Sequence, residues 1–99
     1  MARLKPIHPG EILREEFMLP LDLNANQLAL ALRVPAPSVY DIVHDRRGIS
    51  PEMALRLGRA FGTTPDFWQN LQSEFDLRVA RNQKEAIVKL QVRPLKVLA

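Results

Sequence analysis

A run of hydrogen-bonding and small side chains precedes two arginines near the middle of the chain. The run contains Ala36, Pro37, Ser38, Tyr40, Asp41 and His44. Its hydroxyl, carboxylate and imidazole groups could hydrogen-bond to base edges in a DNA groove, and its two small apolar side chains could touch a thymine methyl group. Arg46 and Arg47 follow at once and are typical of phosphate contacts. This chemistry requires an element that presents these side chains together.

The titratable residues do not form a constellation suited to catalysis. Glu15 and Glu16 are most simply the solvated face of a helix, and no carboxylate–nucleophile pair is evident around His44. The sequence has no cysteine, and His8 lies far from His44, so no ligand cluster suited to zinc is expected. We therefore expect no enzymatic activity, no metal, no cofactor and no small-molecule substrate.

The apolar residues around this run are spaced as two short helices that cross at a steep angle. They form the pattern Leu28-Ala29-x-x-Leu32-x-Val34-x-x-x-x-Val39-x-x-Ile42. Leu28 and Leu32 share one helix face, and Ala29 is small enough for a close crossing. Val39 and Ile42 face back from the second helix. The pattern predicts a helix-turn-helix whose second helix can enter a major groove.

Caps and helix breakers predict five helices in all. The predicted helices begin near Pro9, after Asn24, near Ala36 or Pro37, after Ser50 and after Thr64. Gly62 ends the fourth helix, and Gly48 is able to take a positive φ in the turn after the third. The fifth helix is expected to continue to about Asn82. Residues 86–99 could be a short strand, an arm or disorder, because their periodicity does not decide between these.

Length, charge and hydropathy narrow the class of protein further. The 99 residues fit a single domain, and no apolar run approaches the ~20 residues of a membrane span. The net charge is +3, but the charges of residues 21–50 cancel, and the basic excess lies from Arg78 onward. The N-terminus lacks the apolar core of a signal peptide. We expect a soluble cytoplasmic protein with no membrane partner, with a domain at residues 1–82 and a basic tail at residues 83–99.

Three segments carry a resemblance to a known family. They are His8-Pro9-Gly10-Glu11-Ile12-Leu13, Ile49-Ser50-Pro51-Glu52-Met53-Ala54-Leu55-Arg56-Leu57, and Pro65-Asp66-Phe67-Trp68-x-x-Leu71-Gln72 with Asp76-Leu77. The chain resembles the Cro and phage-repressor type of helix-turn-helix domain, and more specifically the HigA/VapI family of toxin–antitoxin antidotes. The resemblance implies an all-α, five-helix phage-repressor-like fold and a homodimeric repressor that binds its own operator. In many members it also implies neutralisation of a RelE-like ribonuclease toxin.

Three surfaces are expected to serve these roles. The phosphate-contacting residues lie at helix N-termini and in the turn after the third helix: Asn24, Asn26, Gln27, Arg46, Arg47 and Ser50. The dimer interface is expected on an apolar edge of the fifth helix: Phe67, Leu71 and Phe75. The N-terminal arm and first helix have no evident role in the core or in DNA binding, so the toxin-binding surface is expected there, on Arg3, Leu4, Ile7 and Arg14.

Three residues depart from the family pattern. Arg33 stands where a glycine is usual in the turn, so a positive φ there would cost on the order of 1 kcal/mol unless the turn is adjusted. Pro37 and Asp41 occupy positions where base-reading side chains are common, and a carboxylate repels phosphate even though it can accept from a cytosine amino group. Two alternatives therefore stay open: a stand-alone regulator without a toxin, and a protein-binding inhibitor whose DNA binding is weak.

Overall fold

Five helices form the computed structural model, which describes residues 5–96. The first, α1, begins as an α-helix over Pro9–Ile12 and continues as a π-helix over Leu13–Met18. The others are α-helices with these bounds: α2 Ala25–Leu32, α3 Ala36–Val43, α4 Pro51–Phe61 and α5 Pro65–Gln91. Residues 5–96 contain no strand. The predicted all-α, five-helix fold is therefore confirmed.

The helix starts follow the local signals in the sequence. At α2 the Gln27 N–H donates to Asn24 Oδ1 (2.8 Å), and the Asn24 N–H donates to Gln27 Oε1 (2.9 Å), which completes the predicted capping box. Ser50 and Thr64 cap α4 and α5 through their hydroxyl oxygens, each followed by a proline. Gly62 ends α4 with φ 74°. These positions were predictable because each signal lies within one helical turn of the terminus it sets.

The start of α1 uses an unusual cap. The Gly10 N–H donates to Nδ1 of His8 (2.9 Å), so the imidazole takes the place of the hydroxyl or carboxylate that usually caps a helix. Because Nδ1 accepts this bond, the proton of the neutral ring lies on Nε2. The π-helical turn that follows was not predicted, since hydrophobic spacing alone does not separate it from an α-helix.

The fifth helix is longer than the sequence suggested. It runs to Gln91, nine residues beyond the expected end near Asn82, and crosses the boundary proposed between domain and tail. Glu85 lies 4.0 Å from Arg81 and 3.9 Å from Lys89, one helical turn away on either side. Such pairs support an exposed helix. The alternatives of a strand, an arm or disorder are thus wrong for residues 86–91, and only residues 92–96 of the described tail are non-helical.

The core lies where the helix-turn-helix pair meets α1, α4 and α5. Leu28, Ala29, Leu32, Val39 and Ile42 are all buried, as their spacing predicted. The fully buried Trp68 is the largest core side chain; its Nε1 donates to Thr63 Oγ1 (2.7 Å). Within residues 5–96, no helix combines the length and apolarity that crossing a bilayer needs.

Candidate nucleic-acid interface

In the turn between α2 and α3, Arg33 has the left-handed backbone conformation although it is not a glycine. Arg33 adopts φ 60° and ψ 45°, and its N–H donates to the carbonyl of Leu30 (3.2 Å). The alternative of an adjusted turn is therefore wrong, because the backbone of Arg33 itself adopts the strained left-handed conformation. The conformation brings Val34 back over α2, where its N–H donates to the carbonyl of Ala29 (3.1 Å). The angle between α2 and α3 rests on this residue.

One face of α3 points away from the core and carries the predicted base-reading residues. Val39, Ile42 and Val43 face inward and are buried. Pro37, Tyr40 and His44 are exposed, whereas three other candidates are half-buried: Ala36, Ser38 and Asp41. All six therefore have surface that a ligand could touch.

Two of these residues, Tyr40 and His44, form a stack with Arg46 of the following turn. The rings of Tyr40 and His44 are 4.0 Å apart and nearly parallel, and the Arg46 guanidinium lies 5.9 Å from the Tyr40 ring centroid. Nδ1 of His44 lies 2.9 Å from the carbonyl oxygen of Tyr40. Because a carbonyl only accepts, Nδ1 donates, and Nε2 of the neutral ring is left as an acceptor. The stack presents a phenol, an imidazole and a guanidinium side by side.

Two of the charged side chains on α3 and its following turn form an ion pair. Nη2 of Arg47 lies 3.6 Å from Oδ2 of Asp41. The ion pair reduces the repulsion that a lone carboxylate would exert on a phosphate. It also turns one of the two arginines toward α3, while Arg46 leans over Tyr40.

The predicted phosphate contacts at helix starts are exposed but already bonded. Asn24 and Gln27 bond each other's backbone in the capping box, and Asn26 beside them is exposed. Ser50 caps α4 by accepting from the Met53 N–H (3.1 Å). A cleft of about 410 Å³ runs beside Ser50 and is also lined by Ser38, Arg47 and Arg56. This cleft joins the surface of α3 to the start of α4.

The turn after α3, residues 45–48, is built differently from the prediction. Its positive φ belongs to Asp45 (φ 61°), not to Gly48, so the predicted role of Gly48 is wrong. A Cβ at Gly48 would lie 2.9 Å from the carboxamide of Gln72 on α5. The glycine lets the Gln72 carboxamide approach in its observed position, a contact that sequence reasoning could not foresee because the two residues are far apart along the chain.

Helix α1 holds the last turn of α3 through two contacts that sequence reasoning missed. Gly10 packs so closely on α3 that a Cβ there would lie 1.9 Å from the carbonyl oxygen of Ile42. The Arg14 guanidinium donates to the carbonyl of Val43, at the negative end of α3. Arg14 therefore has a structural role, contrary to expectation.

Comparison with known proteins identifies the family. The helix-turn-helix family profile matches residues 13–68, more than half of the chain. The chain belongs to the HigA/VapI helix-turn-helix family. It is 47% identical over 81 residues to virulence-associated protein I of Dichelobacter nodosus, covering 82% of this chain and 75% of that protein. This is a family of DNA-binding regulators and antitoxins, which is not an enzyme class.

Two solved structures of antitoxins share the whole fold. Pseudomonas aeruginosa antitoxin HigA with the higBA promoter superimposes with a TM-score of 0.90 at 50% identity, covering 92% of this chain and 99% of that one. Antitoxin GraA in complex with its operator superimposes with a TM-score of 0.91 at 46% identity and covers 98% of both chains. The HigA/VapI membership suggested by the three sequence segments is thus confirmed.

The residues predicted for dimerisation of this HigA/VapI-family chain are partly covered within the protomer. Phe67 packs on Trp68 and is 37% exposed. Leu71 packs on the core, and the Phe75 ring meets the His8 ring edge-on at 4.9 Å. Further along α5 the large apolar side chains are more exposed: Leu77, Ile87, Val88 and Leu90.

The residues predicted for toxin binding fall only partly within residues 5–96. Arg3 and Leu4 lie outside the described residues. Ile7 is 56% exposed and lines a cleft between the N-terminal segment and α5, with Ile12 and Phe75 at its base. The Arg14 side chain is 41% exposed, although its guanidinium also donates to the Val43 carbonyl of α3.

Proposed function

We propose that this chain is a homodimeric, sequence-specific repressor that binds a palindromic operator near its own gene and excludes the polymerase. The observation that carries the proposal is the outward face of α3, where Tyr40, His44 and Arg46 form one stack. This face lies on a helix-turn-helix unit whose relatives are solved with promoter and operator DNA. A helix of this size fits the major groove.

The proposal assigns bases to α3 and phosphates to its flanks. Base-edge contacts are made by Ala36, Pro37, Ser38, Tyr40, Asp41 and His44. Phosphate contacts are made by Asn24, Asn26, Gln27, Arg46, Arg47 and Ser50. The stack supports this division because the hydroxyl of Tyr40 and Nε2 of His44 remain available at the groove, whereas the guanidinium of Arg46 lies at the edge of the stack.

The division of roles is tested by titrating DNA at several salt concentrations. Arg46→Ala should weaken all DNA sequences about equally and lower the salt slope by about one unit per lost contact. Tyr40→Ala should change the preference at one base pair by about 1–3 kcal/mol. Arg81→Ala, which removes an exposed arginine of α5, is the control and should leave both quantities unchanged. If Arg46→Ala alters preference while Tyr40→Ala does not, the roles are reversed.

The dimer is proposed to form on α5, through Phe67, Leu71 and Phe75. The exposed edge of Phe67 and the apolar side chains that continue along the same helix support this choice, since one helix-turn-helix protomer alone contacts few base pairs. Two copies of α3 should then lie about 34 Å apart, or a multiple of one DNA turn. Sedimentation of a monomer at tens of micromolar, or a dimer with both α3 helices facing each other, would overturn this part.

The second proposed role is that of an antitoxin that neutralises a RelE-like ribonuclease toxin in the cytoplasm. The toxin surface comprises Arg3, Leu4, Ile7 and Arg14, which leaves α3 available for DNA. The basic tail is a poorer candidate, because toxins of this class are usually basic themselves. Deletion of residues 1–7, compared with deletion of residues 84–99, should reduce toxin affinity selectively. If the first deletion leaves toxin affinity intact while substitutions on α3 abolish it, the two surfaces overlap.

A protein-binding inhibitor with weak DNA affinity is the second candidate function. It is favoured by the zero net charge of residues 21–50 and by the pairing of Arg47 with Asp41, which reduces the attraction of this face for phosphate. The two functions differ in operator affinity at physiological salt. A small basic reading frame next to the gene favours a toxin partner over a stand-alone regulator.

A further inference from the structure

The residue that follows the basic turn is held at both of its backbone groups by side chains of α5. The Ile49 N–H donates to Oε1 of Gln72 (2.7 Å), and Nε2 of Gln69 donates to the Ile49 carbonyl (2.9 Å). The side chain of Ile49 is itself buried in the core. Two amides one helical turn apart thus fix one residue of the loop between α3 and α4.

The carboxamide of Gln72 is oriented by its own neighbours. Its Nε2 donates to Oδ1 of Asp76, one turn further along α5 (2.9 Å). On the other side it lies against the backbone of Gly48, where a Cβ would come within 2.9 Å of three of its atoms. The orientation of the amide leaves Oε1 toward Ile49, because Nε2 is the only donor that can meet the carboxylate.

The clamped residue, Ile49, lies two positions after Arg47 and directly follows the turn at residues 45–48. Arg46 and Arg47 are exposed, and the contacts of their side chains with Tyr40 and Asp41 lie at the surface, where such contacts contribute little to fixing the turn. Ordering a loop on association reduces affinity, and a loop that is already ordered avoids that cost. A clamp on Ile49 therefore acts on DNA binding without touching DNA.

We propose that Gln69 and Gln72 are positioning residues for DNA binding, which fix the basic turn to α5 by clamping the backbone of Ile49. The inference rests on the proposed DNA-binding function. Both side chains are uncharged, so they add nothing to the attraction for phosphate. Their removal should weaken binding without changing the number of phosphate contacts. Because α5 also carries the proposed dimer interface, the clamp joins each basic turn to the element that sets the spacing of the two half-sites.

The test measures affinity for a fragment of the chain's own promoter by fluorescence anisotropy, at several salt concentrations. Gln72→Ala should weaken binding by about three- to tenfold, the range expected for losing the hydrogen bond to the Ile49 N–H. The salt slope should stay that of the wild type, because no phosphate contact is lost. Gln83→Ala, which removes an exposed glutamine of the same helix, is the matched control and should bind like the wild type.

A second test exchanges the amide of Gln72 and the carboxylate of Asp76, to ask whether Gln72 acts through its hydrogen bonds at this position. Gln72→Glu alone should also weaken binding, because the new carboxylate faces Asp76. Adding Asp76→Asn should restore affinity to within about twofold, since an asparagine amide there can donate to the glutamate, which still accepts from the Ile49 N–H. Faster hydrogen exchange of the Ile49 amide in Gln72→Ala would report the loss of the clamp directly. If Gln72→Ala does not fold, the same measurements are made on Gln69→Ala, which removes the hydrogen bond to the Ile49 carbonyl.

The outcomes separate this inference from the function on which it rests. Wild-type protein that binds no promoter DNA overturns the proposed function and the inference with it. Wild-type protein that binds, together with Gln72→Ala and Gln69→Ala variants of equal affinity, overturns the inference alone. A fall of about one unit in the salt slope of Gln72→Ala also overturns it, since the variant would then have lost a phosphate contact of a basic side chain rather than the ordering of the turn alone.

Discussion

Replacing Arg33 by glycine should stabilise the protein. Arg33 has φ 60° and ψ 45°, close to the ideal left-handed values. This conformation costs a residue with a Cβ about 1–2 kcal/mol. Glycine removes that cost but increases the entropy of the unfolded chain, which offsets about 0.4–1 kcal/mol. Because the Arg33 side chain is exposed, few contacts are lost, and the net gain in the free energy of unfolding should be about 0.5–1 kcal/mol.

The gain is measurable by urea or thermal unfolding. For a domain of this size it corresponds to a rise in Tm of about 2–8 °C. Arg33→Ala is the matched control, because it removes the same side chain but keeps the Cβ, and its stability should not rise. Operator affinity should change by no more than about twofold, the small effect expected for an exposed residue away from the binding contacts. A lower Tm for Arg33→Gly would refute the strain argument and show that the arginine side chain stabilises the turn.

Three further substitutions test contacts of α1 and α2. Gly10→Ala should cost more than about 2 kcal/mol by urea unfolding, because a Cβ 1.9 Å from the Ile42 carbonyl forces α1 away from α3; near-wild-type stability would contradict this packing. Asn24→Ala should lower the free energy of unfolding by about 1 kcal/mol, because the capping box is lost. Asn24→Ser should retain most of that stability. Arg14→Met should cost about 1–2 kcal/mol because the Val43 carbonyl loses its charged donor; equal losses for Arg14→Lys and Arg14→Met would show that charge at this end of α3 is unimportant.

Local signals account for the parts of the fold that were predicted correctly. Asn24, Ser50 and Thr64 each bond a backbone group three residues away, so their role is legible within a single turn. The buried pattern of Leu28 and Ile42 is likewise set by helical spacing. The end of α5 was missed because no glycine or proline marks it: Pro94 is the first breaker, and the helix ends three residues before it.

The exposure of the candidate residues was predictable from the sequence, but the contacts among them were not. The exposed positions of Tyr40 and His44 follow from the period of α3, and both lie on its outer face as expected. The roles of Arg14, Gly48 and Gln72 depend on residues more than twenty positions away, in other parts of the fold. Such contacts exist only after the helices have packed, so no local pattern announces them.

Because α5 extends well beyond the core, its C-terminal end should be less stable locally than the rest of the fold. Of its 27 residues only Trp68 is buried, and the molecule extends 52 Å along its longest axis but only 22 Å along its shortest. Beyond about Arg78, the helix is supported by exposed ion pairs rather than by the core, so its amides should exchange with solvent through brief local openings. The buried amides of the helix-turn-helix core should exchange only through cooperative unfolding. A tag or fusion attached to this end is therefore insulated from the helix-turn-helix unit by several turns of helix that can open and close on their own.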